Sequence, residues 1–263
     1  MPEFEMPTDE ECRTASAEWL KPLRPCLYTY WPERYKELSF PTMIEQLSPK
    51  EIQRLIDTFN HKPLGTPQDA ALRWKLKRGL AEFDSGSFFK LESRSPKDNY
   101  WGIATNFRAC NWRDIEKMLY SERIMDDLCR YKHTDEPLRL LFREWHSIRK
   151  DEEFRCFIRD RKLVGISQYH YAEWDEWNQT SKPPAFRNII ARKDEIGSAL
   201  AAFVNSEIIP HLPVEDLVAD LWRDPFGKIT LIEINPYGLS DPCLFTYEEL
   251  ETASGEFRIV SQQ

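Results

Sequence analysis

Six short stretches of this chain, SFFKLES, LRLLFREW, EEFRCFIRD, KLVGISQY, EDLVADLW and KITLIEIN, are apolar or alternating and are bounded by turn residues. Side chains alternate faces along an extended chain, so short segments of this kind read as β-strands. Longer runs of helical period lie between them. The consequence is an α+β chain whose strands are mostly joined as antiparallel hairpins. With 263 residues, 41% hydrophobic and 13% aromatic, it has enough apolar material for a packed core in one large or two small domains.

Ser48-Pro49-Lys50-Glu51 supplies an N-cap, a proline at the first helical position and a capping-box glutamate. Ile52, Leu55, Ile56 and Phe59 follow at helical spacing, which predicts a helix over 49–59. Further helices are predicted through AALRWKLKRGLAEF, after Asn111 (Ile115, Met118, Leu119, Ile124, Met125 and Leu128 on one face), and through NIIARKDEIGSALAAFVNSEI. Residues 1–47, rich in Pro, Trp and Tyr, show no clear period and read as an irregular segment packed on the body, disordered over 1–12. An N-terminal lobe is expected over 48–137 and a C-terminal lobe over 138–263.

The 36 Lys+Arg against 44 Asp+Glu give a net charge of −8, which argues against a broad footprint for nucleic acid or anionic lipid and leaves room for a local basic pocket. Cys12, Cys26, Cys110, Cys129, Cys156 and Cys243 are scattered without a C-x-x-C pair, so neither a disulfide framework nor a zinc site is expected. No apolar run approaches the roughly 20 residues of a membrane-spanning helix. The opening MPEFEMPTDEEC lacks the basic and apolar parts of a secretory signal, and a cytoplasmic location is expected.

Polar residues on the strands carry the functional signal. In KITLIEIN, Ile229, Leu231, Glu233 and Asn235 share one face, with Ile232 and Ile234 on the other. RDPFGK reads as a turn; with Arg223 opposite Lys228, Asp220 falls opposite Leu231 and beside Glu233 and Asn235 on a solvent-facing side. Two carboxylates and an amide oxygen are hard donors suited to Mg²⁺. A solvated strand face is the competing reading, against which Pro236 and Gly238 mark a strand end of the kind where ligands are held.

In the other hairpin, a two-residue turn at Asp160-Arg161 would place Arg155 opposite Ile166 and Glu153 opposite Gln168 on one face, with Phe154, Cys156 and Ile158 on the other. Arg155 beside Gln168 suits a phosphate oxygen, a surface cross-strand pair being the alternative. Lys90 runs into a loop with Arg94, Lys97 and Asp98, read either as a flexible basic cover for a polyphosphate or as a solvated loop. Tyr169 to Gln179 mixes aromatics with acids as a protein-binding rim would, or packs a helix start. His146 and His170 each lack an identifiable partner in the sequence.

Taken in order, FFKLESRSPKD, LLFREW, EFRCFIRDRKLVGISQ, VADLWRDPFGKITLIEINPYG and DPCLFTYEEL resemble the cell division cycle protein 123 family, eukaryotic proteins that help to assemble translation initiation factor 2. The resemblance implies an ATP-grasp-like fold that holds ATP and Mg²⁺ between two α+β lobes. It assigns Lys90 to the nucleotide phosphates, over which Arg94 and Lys97 would close if the basic loop is a cover, and Arg143, Glu144 and Trp145 to a hinge beside adenine. Arg155 and Gln168 would face the phosphates. Asp220, Glu233 and Asn235 would hold the magnesium. The implied partner is a protein, the gamma subunit of translation initiation factor 2.

The chain departs from the family where Glu233 replaces the usual Asp, where Gln168-Tyr169-His170-Tyr171 replaces Gln-Arg-Asp-Tyr, and where KLESRSPKD replaces an Asn-Trp pair. It reads as a divergent, short member. Two functions follow: an ATP-dependent assembly chaperone whose nucleotide orders a protein-binding surface, or a carboxylate-amine ligase working through an acyl phosphate. A structural module with a decayed site is the third reading, opposed by the retained polar set.

Overall fold

The computed structural model describes residues 7–59, 62–171 and 189–260. In chain order its helices are α1 (Asp9–Leu23), α2 (Glu33–Glu37), α3 (Pro49–Phe59), α4 (Ala70–Ala81), α5 (Tyr100–Ala104), α6 (Trp112–Met118), α7 (Glu122–Tyr131), α8 (Lys193–Phe203) and α9 (Tyr247–Leu250). The strands are β1 (Thr42–Gln46), β2 (Ser87–Leu91), β3 (Arg108–Ala109), β4 (Arg139–Glu144), β5 (Glu153–Arg159), β6 (Lys162–Gln168), β7 (Leu217–Arg223), β8 (Ile229–Pro236) and β9 (Glu256–Arg258). Two compact units result, one of Met1–Pro22 and Pro41–Ser147, the other of Leu23–Phe40 and Ile148–Gln263.

The first unit is built on an antiparallel sheet in the order β1-β4-β2-β3. β4, expected to open the C-terminal lobe, is instead an inner strand here, because its apolar Leu140, Leu141 and Phe142 are buried between β1 and β2. α4 lies on this sheet through Gly79, whose missing Cβ leaves room for the Phe142 ring. α3 starts as predicted: Ser48 and Glu51 exchange hydrogen bonds across the first turn.

Two expectations for this unit are corrected. The helix predicted after Asn111 is two helices, since Ser121 accepts from the Ile124 N–H and starts a second one at 3.1 Å. The N-terminal segment is also not irregular: α1 occupies Asp9–Leu23 and β1 pairs with β4. Only Ser16 and Leu20 of α1 are buried, so the helix has no apolar stripe to betray it, although Thr8-x-x-Glu11 is a legible capping box.

The second unit carries a sheet in the order β8-β7-β5-β6-β9, antiparallel except for β6 with β9. Phe154, Cys156, Ile158, Ala219 and Leu221 are buried on one face. On the other, Phe157 and Val218 pack against Phe245 and Leu250. Both faces are therefore covered, and the side expected to meet solvent does not. Residues 23–40 belong to this unit: Ser39 donates to the Leu231 carbonyl at 2.7 Å, and Phe40 stacks on Trp222.

Candidate functional site

The β5–β6 turn is the predicted one. Asp160 and Arg161 take φ of 48° and 57°, the left-handed pair that a two-residue hairpin requires, and Arg159 pairs with Lys162. A bulge then shifts the register: Ile158 pairs with Leu163 but Phe157 with Gly165, so Val164 is the extra residue. Arg155 consequently lies opposite Ser167, not Ile166, and Gln168 lies opposite Phe154, not Glu153. A one-residue slip moves a side chain to the other face, so Gln168 is on the opposite side of the sheet from Arg155. Its amide donates to the His170 carbonyl at 3.0 Å and accepts from the Val260 N–H at 3.2 Å.

The β7–β8 hairpin differs from expectation twice. Its loop is one residue longer, with Arg223 opposite Ile229 and the Asp224 side chain accepting from Phe226 and Lys228 N–H groups. A bulge at Ile232 then restores the face, pairing Asp220 with Glu233 and Val218 with Asn235. Asp220, Glu233 and Asn235 thus share one side, as the sequence implied, while Leu231 turns to pair with Leu221 and is fully buried.

Arg155 meets Asp220 directly across β5 and β7. Its Nε and Nη2 donate to the two carboxylate oxygens at 2.7 and 2.8 Å, a planar fork on a planar acceptor. Arg155 is 4% exposed and Asp220 1%, so the pair is held out of water. The third arm of Arg155, Nη1, donates to the Asp241 carbonyl at 2.8 Å, and its guanidinium lies 4.7 Å from the Tyr169 ring centre. Asn235 donates to Asp220 Oδ2 at 3.2 Å.

Burial pushes the Asp220 carboxyl upward, Arg155 pulls it down, and the charges of Glu233 and Glu153 push it up again. For Arg155, burial favours loss of the proton, but the charge and hydrogen bonds of Asp220 outweigh it and hold the guanidinium protonated. The bidentate geometry makes the charged pair the governing state. The site then contains three carboxylates, Asp220, Glu233 and Glu153, against one buried arginine.

That excess of negative charge, together with hard oxygen donors on one face, fits a small divalent cation held by few protein groups. Among the described residues, no group of three or more His, Cys, Asp and Glu side chains is placed to hold a metal ion. The donor set reaches three only through the Asn235 amide. Sequence reasoning missed Asp241, Tyr169 and Tyr171, whose hydroxyl donates to Asp241 at 3.1 Å. Their signal was the Tyr-x-Tyr immediately after β6 and the Asp-Pro beyond Gly238.

The first unit holds the other candidates. Lys90 pairs with Leu141 and Arg143 with Phe88, which places both cations on one face of that sheet as diagonal neighbours, both buried. Glu144, opposite Ser87, falls on the other face and meets His146 at 3.2 Å. Trp145 donates from its backbone to Gly86 and from its ring to the Asn106 carbonyl.

The basic loop is fastened down. Arg94 Nε lies 3.0 Å from the buried Asp127, Ser93 donates to the same carboxylate at 2.5 Å, and Asn99 donates to the carbonyls of Lys117 and Tyr120. Burial raises the Asp127 carboxyl to about 6, opposed by Ser93 and Arg94. Lys97 is exposed. His170, unpartnered in the sequence, lies 3.0 Å from Glu153. Most of the aromatic and acidic stretch from Tyr169 to Gln179 falls outside the described residues.

Residues 50–263 match the D123 family. The translation initiation factor eIF2 assembly protein of Xenopus laevis is 31% identical over 198 residues, covering 71% of this chain and 55% of that protein. Cell division cycle protein 123 of Phaeosphaeria nodorum is 27% identical over 203 residues, covering 70% and 50%. The chain spans about half the length of the curated relatives it matches. Cdc123 from Schizosaccharomyces pombe aligns in structure with a TM-score of 0.66 at 18% identity, over 92% of this chain and 98% of that one, a likeness of fold. The fold, with its two mainly antiparallel sheets, is thus like that of a known structure, and the chain, matched over most of its length, belongs to the D123 family.

Proposed function

We propose that this chain binds ATP with Mg²⁺ on an ATP-grasp-like scaffold and acts in the cytoplasm as an assembly factor for translation initiation factor 2, gripping its gamma subunit. The observation that carries the nucleotide reading is the convergence of Asp220, Glu233 and Asn235 on one face beside Arg155. The names of the relatives support assembly over a carboxylate-amine ligase.

In this reading Asp220, Glu233 and Asn235 hold the metal. Bound Mg²⁺ would neutralise phosphate oxygens beside the carboxylates. Lys90 and Arg143, side by side on their own sheet, bind phosphate, and Lys97 stands at the edge of the basic loop. Glu144 and Trp145 flank the adenine. Arg94 and Gln168 position chain segments, Arg94 through Asp127 and Gln168 through Val260.

Arg155 has a double task. Both oxygens of Asp220 accept from its fork, and Asn235 also donates to Oδ2, so a metal would compete with these donors for the carboxylate. Arg155 would then be free to turn part of its fork toward a phosphate oxygen, and the metal would supply the positive charge beside Asp220. Without metal, ATP would bring its phosphates against the negative charge of Asp220, Glu233 and Glu153.

Calorimetric titration with ATP tests this. Affinity should fall at least about tenfold when Mg²⁺ is withheld, a loss of about 1.4 kcal/mol. Equal affinity with and without the metal sinks the site. Binding of purified gamma subunit that strengthens with Mg-ATP, without release of phosphate or formation of a ligated product, supports assembly; stoichiometric turnover to a new amide would replace it with the ligase.

A further inference from the structure

Three helices of the first unit carry rings and cations that alternate through space, and none of these side chains belongs to the proposed nucleotide site. Arg73 of α4 lies 5.9 Å from the Trp112 ring centre in α6, and Arg113 lies 5.3 Å from the same ring. One turn along α6, Lys117 sits 3.4 Å from the Trp101 ring centre in α5. A ribbon of cation, ring, cation, cation, ring therefore crosses from α4 over α6 to α5.

Among the described residues, Arg73, Arg113 and Lys117 enter no ion pair. The acids of α6 form no ion pair with them: Asp114 accepts from the N–H groups of Cys110 and Asn111, and Glu116 from that of Leu64. One end of the ribbon adds an open aromatic, Tyr100 beside Trp101, which is 83% exposed; at the other end Trp74 is 57% exposed and carries Arg78, itself paired with Glu45, 4.5 Å from its ring centre. On a chain of net charge −8, a strip of cations without counter-ions is a local exception.

We propose that this ribbon binds single-stranded nucleic acid. Unpaired cations meet the phosphates, and the open Tyr100 ring offers a platform on which a base stacks, a combination that tolerates any sequence. A duplex hides its base faces. An acidic protein segment would use the cations and leave Tyr100 without a role, so the exposed ring decides between the two.

Fluorescence anisotropy with a labelled oligouridylate of about 12 nucleotides tests it on the whole chain, with melting curves to confirm folding. Binding should weaken steeply with salt. Arg113→Glu with Lys117→Glu should cost at least about tenfold and flatten the log-affinity against log-salt slope by roughly 0.7 per cation removed. Tyr100→Ala, at an exposed position, should cost about fivefold or more with the slope unchanged. It keeps the proposal testable if the double charge reversal fails to fold. No binding at low salt overturns the proposal. So does displacement by polyglutamate together with indifference to Tyr100→Ala, which would mark the ribbon as a surface for an acidic protein. None of these measurements uses ATP or Mg²⁺.

Discussion

The β5–β6 and β7–β8 hairpins share a sheet and a face, yet they treat their polar residues in opposite ways. In the first, the turn is the one expected and a bulge at Val164 carries Gln168 away from Arg155. In the second, the loop is longer than expected and a bulge at Ile232 brings Glu233 and Asn235 back beside Asp220. Side-chain period is two, so each extra residue inverts every position beyond it. One bulge separated a predicted pair and the other rescued one. Turn geometry alone does not fix which polar groups meet; the count of bulges between turn and site does.

The largest test strikes where both hairpins meet. Asp220→Ala leaves Arg155 buried without its carboxylate, and removing one partner of such a pair costs about 3–5 kcal/mol. Chemical denaturation should show that loss, and Arg155→Met combined with Asp220→Leu should recover most of it. A melting point unchanged in Asp220→Ala would mean that the face is open to solvent after all.

Gln168→Leu sharpens the contrast on the β6 side. It removes the bridge from His170 to Val260 and should cost about 1–3 kcal/mol, with the magnesium dependence of ATP binding intact. The reverse result, lost affinity with full stability, would return Gln168 to the phosphates.

Glu233→Gln probes the rescued pair. It removes a like charge directly opposite Asp220, and the magnesium requirement for ATP binding should fade, from about tenfold toward equal affinity. Full retention of that requirement would exclude Glu233 from the metal set. Smallest is Arg161→Gly: the left-handed φ of 57° costs a residue with a Cβ, and the variant should gain about 0.5 kcal/mol in the same denaturation experiment.

Much of the second sheet was legible because its strands are buried on both faces and end at strong turn residues. Asp160-Arg161 and Asp224 to Gly227 announced both hairpins, and Ser48 to Glu51 announced α3. What escaped has two causes. α1 lacks an apolar stripe, since only two of its residues are buried, and periodicity is blind to such a helix. The break between α6 and α7 hid behind a face that keeps its apolar residues across both helices, with Ser121 as the sole punctuation.

The sequence by itself determined which chemical groups the site could use: two carboxylates and an amide within sixteen positions, an arginine on a neighbouring strand, and a lysine elsewhere on a strand of its own. Local rules suffice for that, because strand period, caps and turns act over a few residues. Tertiary structure decided the rest. It put β4 with β1 and β2, fastened the basic loop through Arg94 to Asp127, and covered the face that carries Asp220. Those outcomes rest on pairing and burial between residues far apart in the chain. A bulge of one residue changes which side chains meet while leaving the hydrophobic pattern of each strand almost as it was.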